Sequence, residues 1–139
     1  MNVKEIWTNT DFEEMGWHDS RLYQVKFPGE ESEFVLYLDY IFEWVKPEEG
    51  EKFFKFWVSP CELIFENIYN LKLNLSFENY IDIYVDDIKR EKIGLTPNGK
   101  MIDWNFVIET DKGNIEFKAT GFRMKTISQP KLSEHQDYR

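Results

Sequence analysis

Apolar and polar residues alternate along most of this chain with a period of two, the pattern of strands that bury one face. Between Arg21 and Phe27, the apolar Tyr23, Val25 and Phe27 alternate with Gln24 and Lys26, and Pro28-Gly29 closes the run in a turn. From Glu33 to Val45, Phe34, Leu36, Leu38, Tyr40, Phe42 and Trp44 share one face, while Val35, Tyr37, Asp39, Ile41, Glu43 and Val45 share the other. This predicts a long central strand. Its second face is too apolar for full exposure, so the strand bends around the core or that face meets another surface. A polar loop at 46–51 precedes a third strand over Lys52–Val58, which Ser59-Pro60 ends. Within Glu62–Phe77, the spacing of Leu63, Phe65, Leu71, Leu73, Leu75 and Phe77 predicts two strand pieces with a bend or bulge near Asn67 to Asn70.

The stretch Glu78–Ile93 fits both the strand and the helix period and is assigned to strand. Thr96-Pro97-Asn98-Gly99 is a turn, with proline setting φ and Asn-Gly tolerating positive φ. It introduces a final hairpin of Met101–Thr110 and Asn114–Arg123, joined through Asp111-Lys112-Gly113-Asn114. Thr10 and Glu13 have capping-box spacing, which predicts a short helix that Gly16 stops, with Phe12 and Met15 on its core-facing side. After Ile127 apolar residues become sparse. The expectation is a mainly β protein with one domain over 1–127, either an antiparallel sandwich or a strongly curved half-barrel, with one short N-terminal helix and a flexible tail at 128–139.

Composition narrows the function. A chain of 139 residues with 42% hydrophobic and 17% aromatic content can bury a core without disulfides or a structural metal, which excludes general disorder. The single cysteine, Cys61, cannot form an intramolecular disulfide, and Met1–Glu5 has no signal-peptide character, so a cytoplasmic location is expected. No apolar run approaches the roughly 20 residues of a membrane helix. The formal net charge of −9 repels a phosphate backbone and argues against nucleic acid as a partner. The same charge attracts basic proteins, or serves solubility alone.

Motifs for common chemistry are missing from the sequence. The seven glycines make no phosphate-binding loop, and one cysteine with two histidines cannot form the usual four-ligand zinc site, so neither cofactor nor metal is expected. A Cys-His pair would have to join Cys61 to His18, yet Pro60 and Glu62 lend Cys61 no positive charge. The paired acids, such as Glu48-Glu49 and Asp86-Asp87, read as solvated surface charge.

Two groups of residues remain as candidates. Trp17, His18 and Asp19, at the junction of the helix and first strand, could furnish a ligand pocket, with Asp19 orienting His18; equally they could plug the core and cap backbone amides. On an extended chain His18 and Asp19 would point to opposite faces, which favours the structural role. Tyr37, Asp39 and Glu43 could form an acidic, aromatic contact surface for a protein partner if the second face of their strand is the outer one, with Trp44 as a further contributor. If it faces inward, Asp39 and Glu43 pair with basic residues inside the fold.

Met15-Gly16-Trp17-His18-Asp19-Ser20, Leu36-Tyr37-Leu38-Asp39-Tyr40 and Pro60-Cys61-Glu62-Leu63-Ile64-Phe65 leading into Asn67 carry a resemblance over roughly the first 75 residues. In this order the chain resembles small uncharacterised bacterial domains grouped with the immunity proteins of polymorphic toxin systems. The resemblance implies a non-catalytic protein that binds and blocks a cognate toxin, and the negative charge suits a basic one. It transfers no contact residue. The leading expectation is therefore a non-enzymatic, acidic protein-binding module. The alternatives are a small-molecule-binding or enzymatic domain with an aromatic pocket near His18, and a self-associating accessory protein, a homodimer packed through the Glu33–Val45 strand.

Overall fold

The computed structural model describes residues 1–138. Ten strands follow one another along the chain: β1 (Ile6–Thr8), β2 (Ser20–Lys26), β3 (Phe34–Val45), β4 (Lys55–Glu66), β5 (Tyr69–Leu75), β6 (Ile83–Leu95), β7 (Ile102–Thr110), β8 (Gly113–Ala119), β9 (Gly121–Thr126) and β10 (Lys131–Ser133). All pairings are antiparallel, and they form one open sheet in the order β1-β9-β4-β3-β2-β6-β7-β8-β5, with β10 joined to β4.

The sheet doubles back on its own core. Phe34 and Phe65 come from β3 and β4, and Phe117 and Phe106 from β8 and β7, which lie far away in strand order. Yet the Phe34 and Phe117 rings are 5.4 Å apart, and Phe65 lies 5.0 Å from Phe106 and 4.6 Å from Phe117. These residues are fully buried. The strong aromatic content is thus spent on joining the two inner faces, where edge-on and offset ring contacts add to plain area burial.

The bend expected near Asn67 is present: Asn67 and Asn70 both adopt positive φ, a conformation asparagine tolerates, and the β5 register shifts between Tyr69 and Lys72. The Thr96–Gly99 turn closes a β6–β7 hairpin, and the short β7–β8 connection places Gly113 at φ 127°. Only glycine fits there, since a Cβ would lie 2.0 Å from the Asn74 backbone oxygen of β5.

Several expectations are corrected. The N-terminal helix is a single 3-10 turn, Phe12–Glu14, and Met15 is already extended. The capping box does not form: Asp11 accepts the Thr8 amide and the Lys4 ammonium, while Glu13 is drawn away to Arg90. The Arg90 guanidinium lies over the Phe12 ring at 4.3 Å and the Trp104 ring at 4.0 Å, and it also donates to the side chain and backbone oxygens of Asn9. That clamp pins the turn to the sheet and holds Phe12 in the core, 5.2 Å from Phe122.

Pro60 does not end a strand; β4 runs straight through it. Val58 is the last residue paired with β10 and Cys61 the first paired with β9, so the missing proline amide falls where β4 changes neighbours. The Asn114–Arg123 run is two strands, β8 and β9, divided at Thr120 and belonging to opposite parts of the sheet.

Candidate functional site

Two β-bulges decide which side chains reach the surface. In β2 the register slips between Leu22 and Gln24, so Leu22 joins Val25 toward the core, while Tyr23 and Phe27, which alternation sets on the face of Val25, are left exposed. In β3 it slips between Ile41 and Glu43. Phe42 stays with the core, 4.7 Å from Tyr40 and 5.7 Å from Trp7, while Trp44 swings to the face that carries Asp39 and Ile41. The bulge moves Trp44 off the face of Phe34, Leu36 and Leu38 that alternation assigns to it.

The outer face of β3 and β4 is covered by the chain's last described residues. Ile41, Phe56 and Val58 form a second apolar cluster, and Tyr138 packs on it. Lys131–Ser133 extends the sheet along the first part of β4, the Ser59 hydroxyl donates to the Ser128 carbonyl, and the Tyr138 amide donates to Asp39 Oδ2 at 3.1 Å. This is the second surface that the apolar back of β3 called for. Residues 128–138, expected as a flexible tail outside the domain, supply it.

The four contact candidates do not share one site. Asp39 is buried, with Arg21 Nη1 at 3.7 Å, so it lies on the outer face and is paired within the fold. Tyr37 shares that face but is separated from Trp44 by seven residues of strand, more than about 20 Å. Glu43 is exposed and shifted by the bulge to the other side of the strand from Trp44. Trp44 alone stands in an exposed aromatic group, where Phe56 approaches at 5.0 Å and Phe54 at 6.3 Å, both nearly perpendicular to its ring.

The pocket candidates separate as well. Trp17 is buried among Phe12, Tyr40 and Phe122 and serves the core. His18 is outside. Asp19 takes φ 66°, and this left-handed kink brings its carboxylate to 3.5 Å from His18 Nε2, a meeting that an extended chain would have prevented. Asp19 also accepts from Gln136 at 2.8 Å, and the His18 ring lies nearly parallel to Trp44 with centroids 6.2 Å apart. His18 therefore borders the Trp44 group, not a cavity of its own.

Between that group and the C-terminal segment lies an open recess of about 600 Å³, lined by Trp44, Phe53, Phe54, Phe56, Tyr84 and residues 134–137. Trp44, Phe53 and Phe54 are 40%, 79% and 42% exposed, a concentration of bare aromatic surface with Glu134 and His135 at its rim. Phe53 and Phe54 read in the sequence as the start of a strand; they instead precede β4 as loop, which leaves their rings uncovered. Among the described residues no group of three or more His, Cys, Asp or Glu could hold a metal ion, and no helix is long and apolar enough to cross a membrane.

Cys61 faces inward, fully buried, and is not brought to His18. Burial pushes its thiol up to about 12, and burial likewise raises the Tyr40 phenol to about 12. Both groups hold their protons in the folded chain above the pH at which the unfolded chain, with ordinary values of 9.0 and 10.0, releases them. Stability is therefore intact below about pH 9 and is lost as pH rises through about 12. Urea midpoints measured from pH 7 to 11 should fall on the alkaline side, and Cys61→Ala should flatten the part of the decline that begins near pH 9.

Neither protein-family models, curated proteins nor solved structures match this chain.

Proposed function

We propose that this chain is a non-enzymatic protein-binding module that occludes a basic partner, in the manner of an immunity protein, and that the contact is centred on Trp44, Phe53 and Phe54. The observation that carries this reading is the exposure of those three rings together on one side of the molecule. Large aromatic side chains left bare cost solubility unless a partner covers them, and they are the residues that dominate binding energy where they are buried at an interface. A net charge of −9 complements a basic partner and speeds its approach, an effect that weakens as salt is added.

Co-expression with the product of the adjacent gene, followed by pull-down and a growth assay, tests the reading. Capture with rescue from toxicity is expected. The Trp44→Ala/Phe53→Ala double variant should fold normally and bind at least about 100-fold more weakly, as truncation of anchor residues does. Unchanged affinity in that variant would move the contact elsewhere and sink the proposal.

The volume of the recess favours a second reading, since about 600 Å³ lies within the range of small-molecule sites. In that case an aromatic ligand would quench the Trp44 signal in the purified protein with no partner present. Self-association by strand pairing would have to use the second half of β3, because β2 and β4 flank that strand together only over Val35–Asp39.

A further inference from the structure

We infer that the recess beside Trp44 is an arginine site, which takes one guanidinium group from the partner's surface as its anchor. This inference rests on the protein-binding reading and names the chemistry of its central contact.

Three features converge. The walls are aromatic: Trp44, Phe54, Phe56 and Tyr84 line the recess, with the Phe54 and Phe56 rings set at 76° and 78° to the indole. Two rings set steeply to the indole give the recess aromatic surface beyond the indole itself, and the π-face of an aromatic ring attracts a cation. The lining also carries an acid, the exposed Glu134, whose carboxylate can accept from a cation's N–H donors. The recess is open to solvent, and Phe53, one of its lining residues, is largely exposed.

The interior of the same molecule shows how these components behave together. Arg90 lies over a tryptophan and a phenylalanine, Trp104 and Phe12, and is paired with a glutamate, Glu13, at 3.2 Å. The recess repeats that composition with Trp44, Phe54 and Glu134, and among the described residues no basic side chain other than His135 lines it. A planar guanidinium stacks on such rings while donating in its own plane, which a lysine ammonium cannot do; arginine is therefore the anchor that fits.

The neighbouring hollow, lined by Glu51, Lys52, Phe53, Phe54, Lys55, Glu134 and His135, carries two lysines. Lys55 is engaged by Glu51 at 3.4 Å. Glu51 and Glu134 balance the two lysines there, so the charges of that hollow do not oppose a guanidinium in the recess beside it.

The test uses the purified full chain with N-acetyl-arginine amide as probe and the isosteric, neutral N-acetyl-citrulline amide as control, read by the indole N–H resonances of the five tryptophans. The Trp44 signal is identified by its loss in Trp44→Phe. Arginine amide should shift that signal saturably, and citrulline amide should bind about tenfold more weakly. Glu134→Gln, an exposed substitution that leaves the fold intact, should narrow the gap between the two probes. Equal responses to both, or shifts at other indoles with Trp44 unmoved, overturn the proposal. An arginine probe that fails while Trp44→Ala/Phe53→Ala still weakens partner capture removes the anchor and leaves the contact surface standing. A selective probe response with unaffected capture keeps the arginine site and removes the protein-binding reading.

Discussion

Phe65→Ala should destabilise the protein by about 3 to 5 kcal/mol, measured as the change in unfolding free energy by urea titration. Phe65 is fully buried and is the ring through which β4 touches the opposite half of the sheet. It contacts Phe106 and Phe117 there, and Phe122 of β9 on its own side at 6.1 Å. Its removal would open a cavity bordered by three other phenylalanines, which are rigid and held on three different strands, so little collapse can fill it. Domains of this size are stable by only about 5 to 15 kcal/mol, and the substitution therefore consumes a large share. A loss below about 1 kcal/mol would mean that the two inner faces are not packed through this ring. The exposed Phe53→Ala, by contrast, should change stability by less than about 0.5 kcal/mol, which separates the role of the two phenylalanines.

A chain ending at Ile127 should be less stable by about 2 to 4 kcal/mol and should bind a hydrophobic dye that the full chain excludes. The truncation removes the β10 ladder and the Tyr138 cover over Ile41, Phe56 and Val58. It also deprives the buried Ser59 hydroxyl of the Ser128 carbonyl, and Asp39 of the Tyr138 amide. Asp39 would keep Arg21 at 3.7 Å, so the loss is partial and the domain should still fold. Because residues 134–137 form one wall of the recess, the truncated chain should lose the response to the arginine probe as well. Unaltered stability would show that the segment lies on the sheet without holding it.

The C-terminal segment illustrates why the sequence shows some features and hides others. Its Leu132 and Tyr138 are too few to form a periodic pattern, so composition alone marks it as surplus. The need for it was nevertheless legible one strand away, in the apolar back of β3, as an unspecified second surface. What could not be read was that the chain's own end supplies that surface.

The candidate site was legible to a similar extent. Trp44 is a candidate from the sequence and stands in the exposed aromatic group; Phe53 and Phe54, its neighbours across the β3–β4 connection, do not announce themselves, because an apolar pair ahead of an alternating run resembles the beginning of a strand. Alternation sets Trp44 on the face of Phe34, Leu36 and Leu38, opposite Asp39 and Ile41, since it has no way to register a bulge. One inserted residue between Ile41 and Glu43 exchanges the faces of everything after it. Asp39 was left between an outer contact and an inner ion pair, and both descriptions apply in part: it is on the outer face and is paired there with Arg21.

By itself, then, the sequence determined that the protein is mainly β and antiparallel, where most strands and turns lie, and that its apolar and aromatic content suffices to bury a core. Those properties follow from interactions between residues near one another along the chain: the period-two alternation, the Pro, Asn and Gly punctuation, and the amount of apolar surface to be buried. The tertiary structure alone decided the strand order, the division of β8 from β9 at Thr120, the reduction of the N-terminal helix to one turn clamped by Arg90, and the assembly of Trp44, Phe54, Tyr84 and Glu134 around one recess. Each of these depends on pairings between residues tens of positions apart. Their energies are set by which partner surfaces meet, and a local pattern of hydrophobic and polar positions is compatible with many such meetings.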